Sequence, residues 1–91
     1  MKLRLGTVLV TAGIDCAMAE DMRFHKEVIS CISRHAGGDW GDLCDEDKCI
    51  NNHAVNNNER ILSAYETTRG RIWIISEWDR KHTTVLFPEE Y

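Results

Sequence analysis

The stretch His35-Ala-Gly-Gly-Asp-Trp-Gly-Asp-Leu43 constrains this chain more than any other. It sets three glycines, a large aromatic and two carboxylates between a helix-like half and a strand-rich half. A backbone that reverses there while burying Trp40 needs positive φ at Gly38 and Gly41, where a side chain would clash.

Ahead of that corner, residues 3–11 are β-branched and apolar with partial alternation, which predicts a first strand. Ala12-Gly13 closes it, and a short helical turn over 14–18 places Ile14 and Met18 on one face. From Asp21 to Ala36, the residues Phe24, Val28, Cys31, Ile32 and His35 recur at helical spacing and predict an amphipathic helix lying on a core. Glu20 and Asp21 suit its positive end, Arg34 and His35 its negative end, and Gly37-Gly38 its left-handed stop.

Beyond the corner, the acids Asp45, Glu46 and Asp47 open a second helix over 45–56, capped by Cys44 or Asp42, with Ile50 and Ala54 inward. Asn56-Asn57-Asn58 ends it. Residues 60–67, 71–78 and 83–87 read as three strands joined by turns at 68–70 and 79–81, and Pro88 ends the last. The middle strand is apolar on both faces and belongs inside the sheet. The expected architecture is one α+β domain over residues 1–91. It has an N-terminal strand, two to three helices, then a C-terminal three-stranded antiparallel meander forming a single layer packed on the helices.

Charge and length narrow the function. Fifteen acidic against 11 basic side chains give a net charge of −4, which works against tracking a polyanion and favours a basic protein surface as partner. Direct nucleic-acid binding is not expected, and neither is a membrane role, since no apolar run reaches the length of a span. The opening residues superficially mimic a secretory leader, but Thr7, Thr11 and Asp15 interrupt the apolar run. The expected location is therefore cytoplasmic, with Cys16, Cys31, Cys44 and Cys49 as thiols.

Five groups of residues could carry chemistry. Cys44, Cys49 and His53 have zinc-ligand types, and a fourth ligand would come from His82, His35 or Cys31, but the paired Cys-x2-Cys knuckle is missing. His35, Asp39 and Asp42 around Trp40 could support acid–base chemistry in a small hydrolase or toxin, although such residues at a helix junction more often form turns. A cysteine nucleophile would need a histidine brought to it by tertiary structure. Aromatics mainly fill the core of a small domain, whereas a tryptophan exposed beside the acids would anchor an interface. The acidic run itself is ordinarily a solvated helix start, and in the sharper reading it imitates phosphate spacing and occupies a basic groove.

The pattern His35-x-x-Gly38-Asp39-Trp40-Gly41-Asp42, followed by Asp47, Asn51, Arg60-Ile-Leu-Ser-Ala-Tyr65, Ile72-Trp-Ile-Ile-Ser-Glu77, Asp79-Arg80 and Thr83-Thr-Val-Leu-Phe-Pro-Glu-Glu-Tyr91, resembles a family of small plasmid- and phage-associated bacterial proteins. Its members are labelled plasmid-related proteins or restriction-system subunits. The resemblance covers residues 35–91 closely and 6–13 loosely, while residues 20–34 and the cysteines at 44 and 49 depart from the family pattern. It implies residence on a mobile genetic element, and no activity.

The expectation is a non-enzymatic protein-binding module that inhibits a host nucleic-acid-targeting defence complex, of the anti-CRISPR or anti-restriction kind. Asp39, Trp40, Asp42, Asp45, Glu46 and Asp47 would make the contact, with no catalytic residue, metal or cofactor. A homodimer through a sheet edge fits the same reading.

Overall fold

A computed structural model describes residues 3–91. The elements run β1 (Thr7–Val10), α1 (Ala12–Glu20), α2 (Met22–Ala36), α3 (Asp45–Asn57), β2 (Ile61–Thr67), β3 (Gly70–Ser76), β4 (His82–Leu86) and a closing 3-10 turn (Pro88–Glu90). This is the expected α+β class. The meander β2–β3–β4 is antiparallel, and β1 adds to its far side in parallel with β4, giving one mixed sheet of order β1-β4-β3-β2. The first strand therefore belongs to the sheet, so four strands rather than three form the layer, with β3 and β4 inside it.

Two local differences from expectation have physical causes. The first strand begins only at Thr7, because Leu3 N–H donates to the Ala36 carbonyl at 2.6 Å and Gly6 turns the chain at φ 66°, against the Lys81 carbonyl where a Cβ would overlap. The short turn after β1 is a full helix. Thr11 caps it through the Ile14 amide, and the Glu90 carboxylate arrives from the far end of the chain to accept from Gly13 N–H (3.1 Å) and Thr11 Oγ1 (2.6 Å). A negative group at the positive end of a helix is favourable. Asp21 then divides α1 from α2 in an extended conformation, accepting from the Arg23 and Phe24 amides.

The core has two parts. Ile14, Phe24, Val28, Cys31, Tyr65, Ile72, Ile74 and Val85 join α1 and α2 to one face of the sheet. Leu3, Trp40, Ala54 and Ile61 form a smaller cluster beneath α3. The corner works as its glycines require: Gly38 and Gly41 take φ of 85° and 73°, and at Gly41 a Cβ would overlap the Ala64 carbonyl.

The outer edge of β2 is closed along its length. Ala64 N–H donates to the Trp40 carbonyl and its own carbonyl accepts from Asp42 N–H, while the Asn51 side chain serves both Leu62 N–H and Leu62 C=O. The Asp42 carboxylate takes Glu66 N–H, and Glu27 takes Thr68 N–H. Every second residue of the edge is thus occupied, which blocks edge-to-edge pairing. The amide of Asn51 imitates a peptide unit, so Asn51→Ala removes two main-chain partners. Its expected cost is about 1–3 kcal/mol in a denaturant titration, with faster hydrogen exchange at the Leu62 amide before that of β3.

Candidate functional site

At the corner, His35 projects from α2 onto the sheet and is fully buried, as are Ser63 on β2, Ser76 on β3 and Thr83 on β4. Its Nδ1 lies 2.6 Å from Ser63 Oγ and its Nε2 2.9 Å from Ser76 Oγ; Ser76 Oγ is 2.8 Å from Thr83 Oγ1, which donates to the Leu5 carbonyl at 2.7 Å. The carbonyl end fixes the direction of the whole chain, because a carbonyl only accepts. Thr83 spends its hydrogen on Leu5, so Ser76 donates to Thr83 and His35 Nε2–H donates to Ser76. Ser63 then donates to Nδ1 of a neutral imidazole. The Trp40 ring closes the assembly edge-on to His35, with centroids 5.5 Å apart.

Burial, with a smaller push from the Arg80 charge, lowers the His35 pKa to about 4. Desolvation disfavours the imidazolium, and among the described residues no carboxylate acts on the ring to offset it. The ring is sealed from solute and both nitrogens are occupied, so this geometry joins α2 to the sheet and presents no base to a substrate.

The residues proposed from sequence around His35 do not converge with it. The Asp39 carboxylate turns outward to Arg34 at 2.7 Å and accepts from Gly41 N–H, and the Arg34 bond chiefly holds it below the usual carboxylate range. Arg34 also lies over the Tyr65 ring at 4.8 Å, and Tyr65 donates to the Asp39 carbonyl at 2.6 Å. Asp42 seals the β2 edge as described. Both acids shape the corner while remaining exposed.

Trp40 requires a correction. Only 3% of it is exposed, and its Nε1–H donates to Asn52 Oδ1 at 2.8 Å, so it anchors the second core cluster and offers no surface to a partner. Filling the corner is what carries the ring inside. The exposed tryptophan is Trp78, 64% exposed in the β3–β4 connection.

Asp45, Glu46 and Asp47 form the exposed first turn of α3, and among the described residues they enter no ion pair. Cys44 occupies the N-cap by backbone geometry, with no side-chain bond to the helix; Asp42, the other expected cap, is engaged with Glu66. An open groove of about 290 Å³ beside this turn is lined by Leu43, Asp47, Ile50, Asn51, Arg60 and Leu62.

The zinc candidates are all exposed, Cys44 at the N-cap of α3 and Cys49 and His53 along it. No group of three His, Cys, Asp or Glu side chains among the described residues is placed to hold a metal ion. Cys31 is in the core, where burial raises its thiol pKa. Among the described residues no helix is long and apolar enough to cross a membrane. Comparison of the chain with protein-family models, curated proteins and solved structures finds no match.

Sequence reasoning passed over Ser63, Ser76, Thr83, Asn51, Arg80 and Glu90. For the hydroxyls the signal was available: Ser63 alternates in phase with Ile61 and Tyr65, and Ser76 with Ile72 and Ile74, so a polar group there faces the core and needs a partner. Arg80 gives no such signal. Its guanidinium donates to the carbonyls of Ala54 (2.9 Å), Glu59 (2.7 Å) and Glu77 (2.8 Å), tying the end of α3 to the β3–β4 connection.

The buried imidazole makes stability depend on pH in a definite direction. Its folded pKa, about 4, lies below the unfolded value near 6.5, so the unfolded chain binds the proton first as pH falls. Stability is full above the unfolded pKa and declines between there and the folded one, by about 3 kcal/mol in all. Denaturant titrations at pH 7 and pH 4.5 are expected to show most of that decline. A His35→Leu variant, less stable at neutral pH, is expected to show little of it.

Proposed function

We propose that this chain is a non-enzymatic protein-binding module whose acidic α3 turn engages a basic protein surface. The observation that carries this reading is the array Asp45, Glu46 and Asp47, exposed together and free of ion pairs among the described residues, at the start of a helix with no side-chain cap bond. Asp39 and Asp42 extend the acidic character toward the corner, with Asp39 partly offset by Arg34. Clustered charge of one sign steers encounter with the opposite sign and weakens as salt rises. His35 stays sealed in the fold, which takes the best acid–base candidate out of contact with any solute.

The partner class follows from two supports of different kind. A net charge of −4 suits a groove that ordinarily holds nucleic acid, and the resemblance to plasmid- and phage-associated proteins suits a mobile element acting on its host. The reading is therefore an inhibitor of a host nucleic-acid-targeting defence complex, anti-CRISPR or anti-restriction, working in the cytoplasm. The contact set is Asp45, Glu46 and Asp47, flanked by Asp39 and Asp42.

Binding to purified CRISPR effector and restriction complexes by interferometry tests it. Wild-type affinity is expected to fall with added salt. The triple variant Asp45→Asn, Glu46→Gln, Asp47→Asn is expected to lose at least about tenfold, roughly 1.4 kcal/mol or more, while staying folded and losing only the about 0.3–1 kcal/mol of stability that each acid supplies at a helix start. Equal binding by the neutralised variant, or no complex bound by the wild type, would overturn the reading.

A further inference from the structure

The two edges of the sheet are unlike. At β2 every second main-chain amide is occupied by the corner, Asn51, Asp42 or Glu27, whereas β1 at the other edge carries Val8, Leu9 and Val10 at 41%, 45% and 36% exposure. Thr7 N–H and Thr11 N–H donate to the Lys81 and Val85 carbonyls of the β4 side. Strand alternation therefore turns the amides and carbonyls of Val8 and Val10 outward, away from β4. A short apolar strand with unspent main-chain groups is a template for another strand.

We infer that β1 pairs antiparallel with β1 of a second copy of this chain, joining two four-stranded sheets across a twofold axis at Leu9. Register selects this arrangement. With Leu9 opposite Leu9, Val8 of each copy faces Val10 of the other, and these are the residues whose amides and carbonyls both point outward. The pairing forms about four main-chain hydrogen bonds, with the two Leu9 side chains meeting as a close non-hydrogen-bonded pair.

Charge selects it again. The start of β1 lies in a depression with Arg4, Lys81 and His82, where Asp79 is the one acid. Its end runs into α1, whose first turn carries Asp15, beside the Glu90 carboxylate that accepts from Thr11 Oγ1. Antiparallel self-pairing sets the basic end of each copy beside the acidic end of the other, while parallel pairing would set like charges together. Assembly stops at two because the β2 edges are closed, so the contact is isologous and cannot propagate into a fibre. This surface lies across the sheet from α3 and is independent of the acidic turn.

An interface built on a four-residue strand belongs to the weak end of the range, with a Kd on the order of 10 μM or above. Sedimentation of the whole chain from about 10 to about 500 μM is expected to show a monomer passing to a dimer and nothing larger. Leu9→Lys, which puts two ammonium groups together at the axis, is expected to hold the chain monomeric with its melting temperature unchanged. A charge exchange covers the case in which that variant folds poorly. Arg4→Glu/Lys81→Glu reverses the bases at the start of the strand, Asp15→Lys reverses the acid at its end, and each alone is expected to stay monomeric while their mixture forms a heterodimer. A wild-type monomer across the whole range overturns the inference. So does a dimer that survives Leu9→Lys, or a mixture that fails to pair.

Discussion

The neutral imidazole of His35 is the group on which the rest of this molecule depends. It reaches from α2 to three strands through Ser63, Ser76 and Thr83, and the last of these holds the chain ahead of β1 through the Leu5 carbonyl. A polar chain in a dry interior is favourable only when each member has a partner, and among the described residues no buried side-chain nitrogen or oxygen lacks one. The network also fixes register, since sliding β2 or β3 by one residue would move its serine to the opposite face and leave the imidazole unserved. Specificity of strand order thus rests on hydrogen bonds, while apolar burial around Phe24, Tyr65 and Ile74 supplies the driving force.

The corner at Trp40 is the second fixed point. Its glycines let the backbone pass against Ala64, its indole reaches Asn52, and the Trp40 carbonyl with the Asp42 amide and carboxylate closes the edge of β2. One segment thereby ends a helix, fills a core and shields a sheet. The acids that looked like a single surface feature divide by role: Asp39 and Asp42 hold main chain or guanidinium, and Asp45, Glu46 and Asp47 face water.

Much of this was legible in the sequence. The period of Phe24, Val28, Cys31 and His35 located α2, the alternation around Ile61–Tyr65 located β2, and the positive φ at Gly38 and Gly41 followed from the corner they serve. What escaped depends on distant partners. Nothing near Ala12-Gly13 announces a full helix, because part of its N-terminal capping comes from Glu90. Nothing in the first strand tells that it joins β4 in parallel, since that pairing is set by how α1 and α2 return the chain. Trp40 was read as a possible contact because its ring is large and its neighbours are acidic, and only the closure of the corner over Asn52 decides that it is internal.

That parallel pairing bears on how the chain is made. Within one chain Thr7 to Val10 pair with His82 to Val85, so of the four strands of this sheet the earliest in sequence waits for the latest to be made. At roughly 5–20 residues per second, synthesis leaves a bare apolar strand waiting for seconds while the helices form behind it. During that interval Val8, Leu9 and Val10 stand open to chaperones, and the newborn chain is most exposed to aggregation just before its final strand arrives.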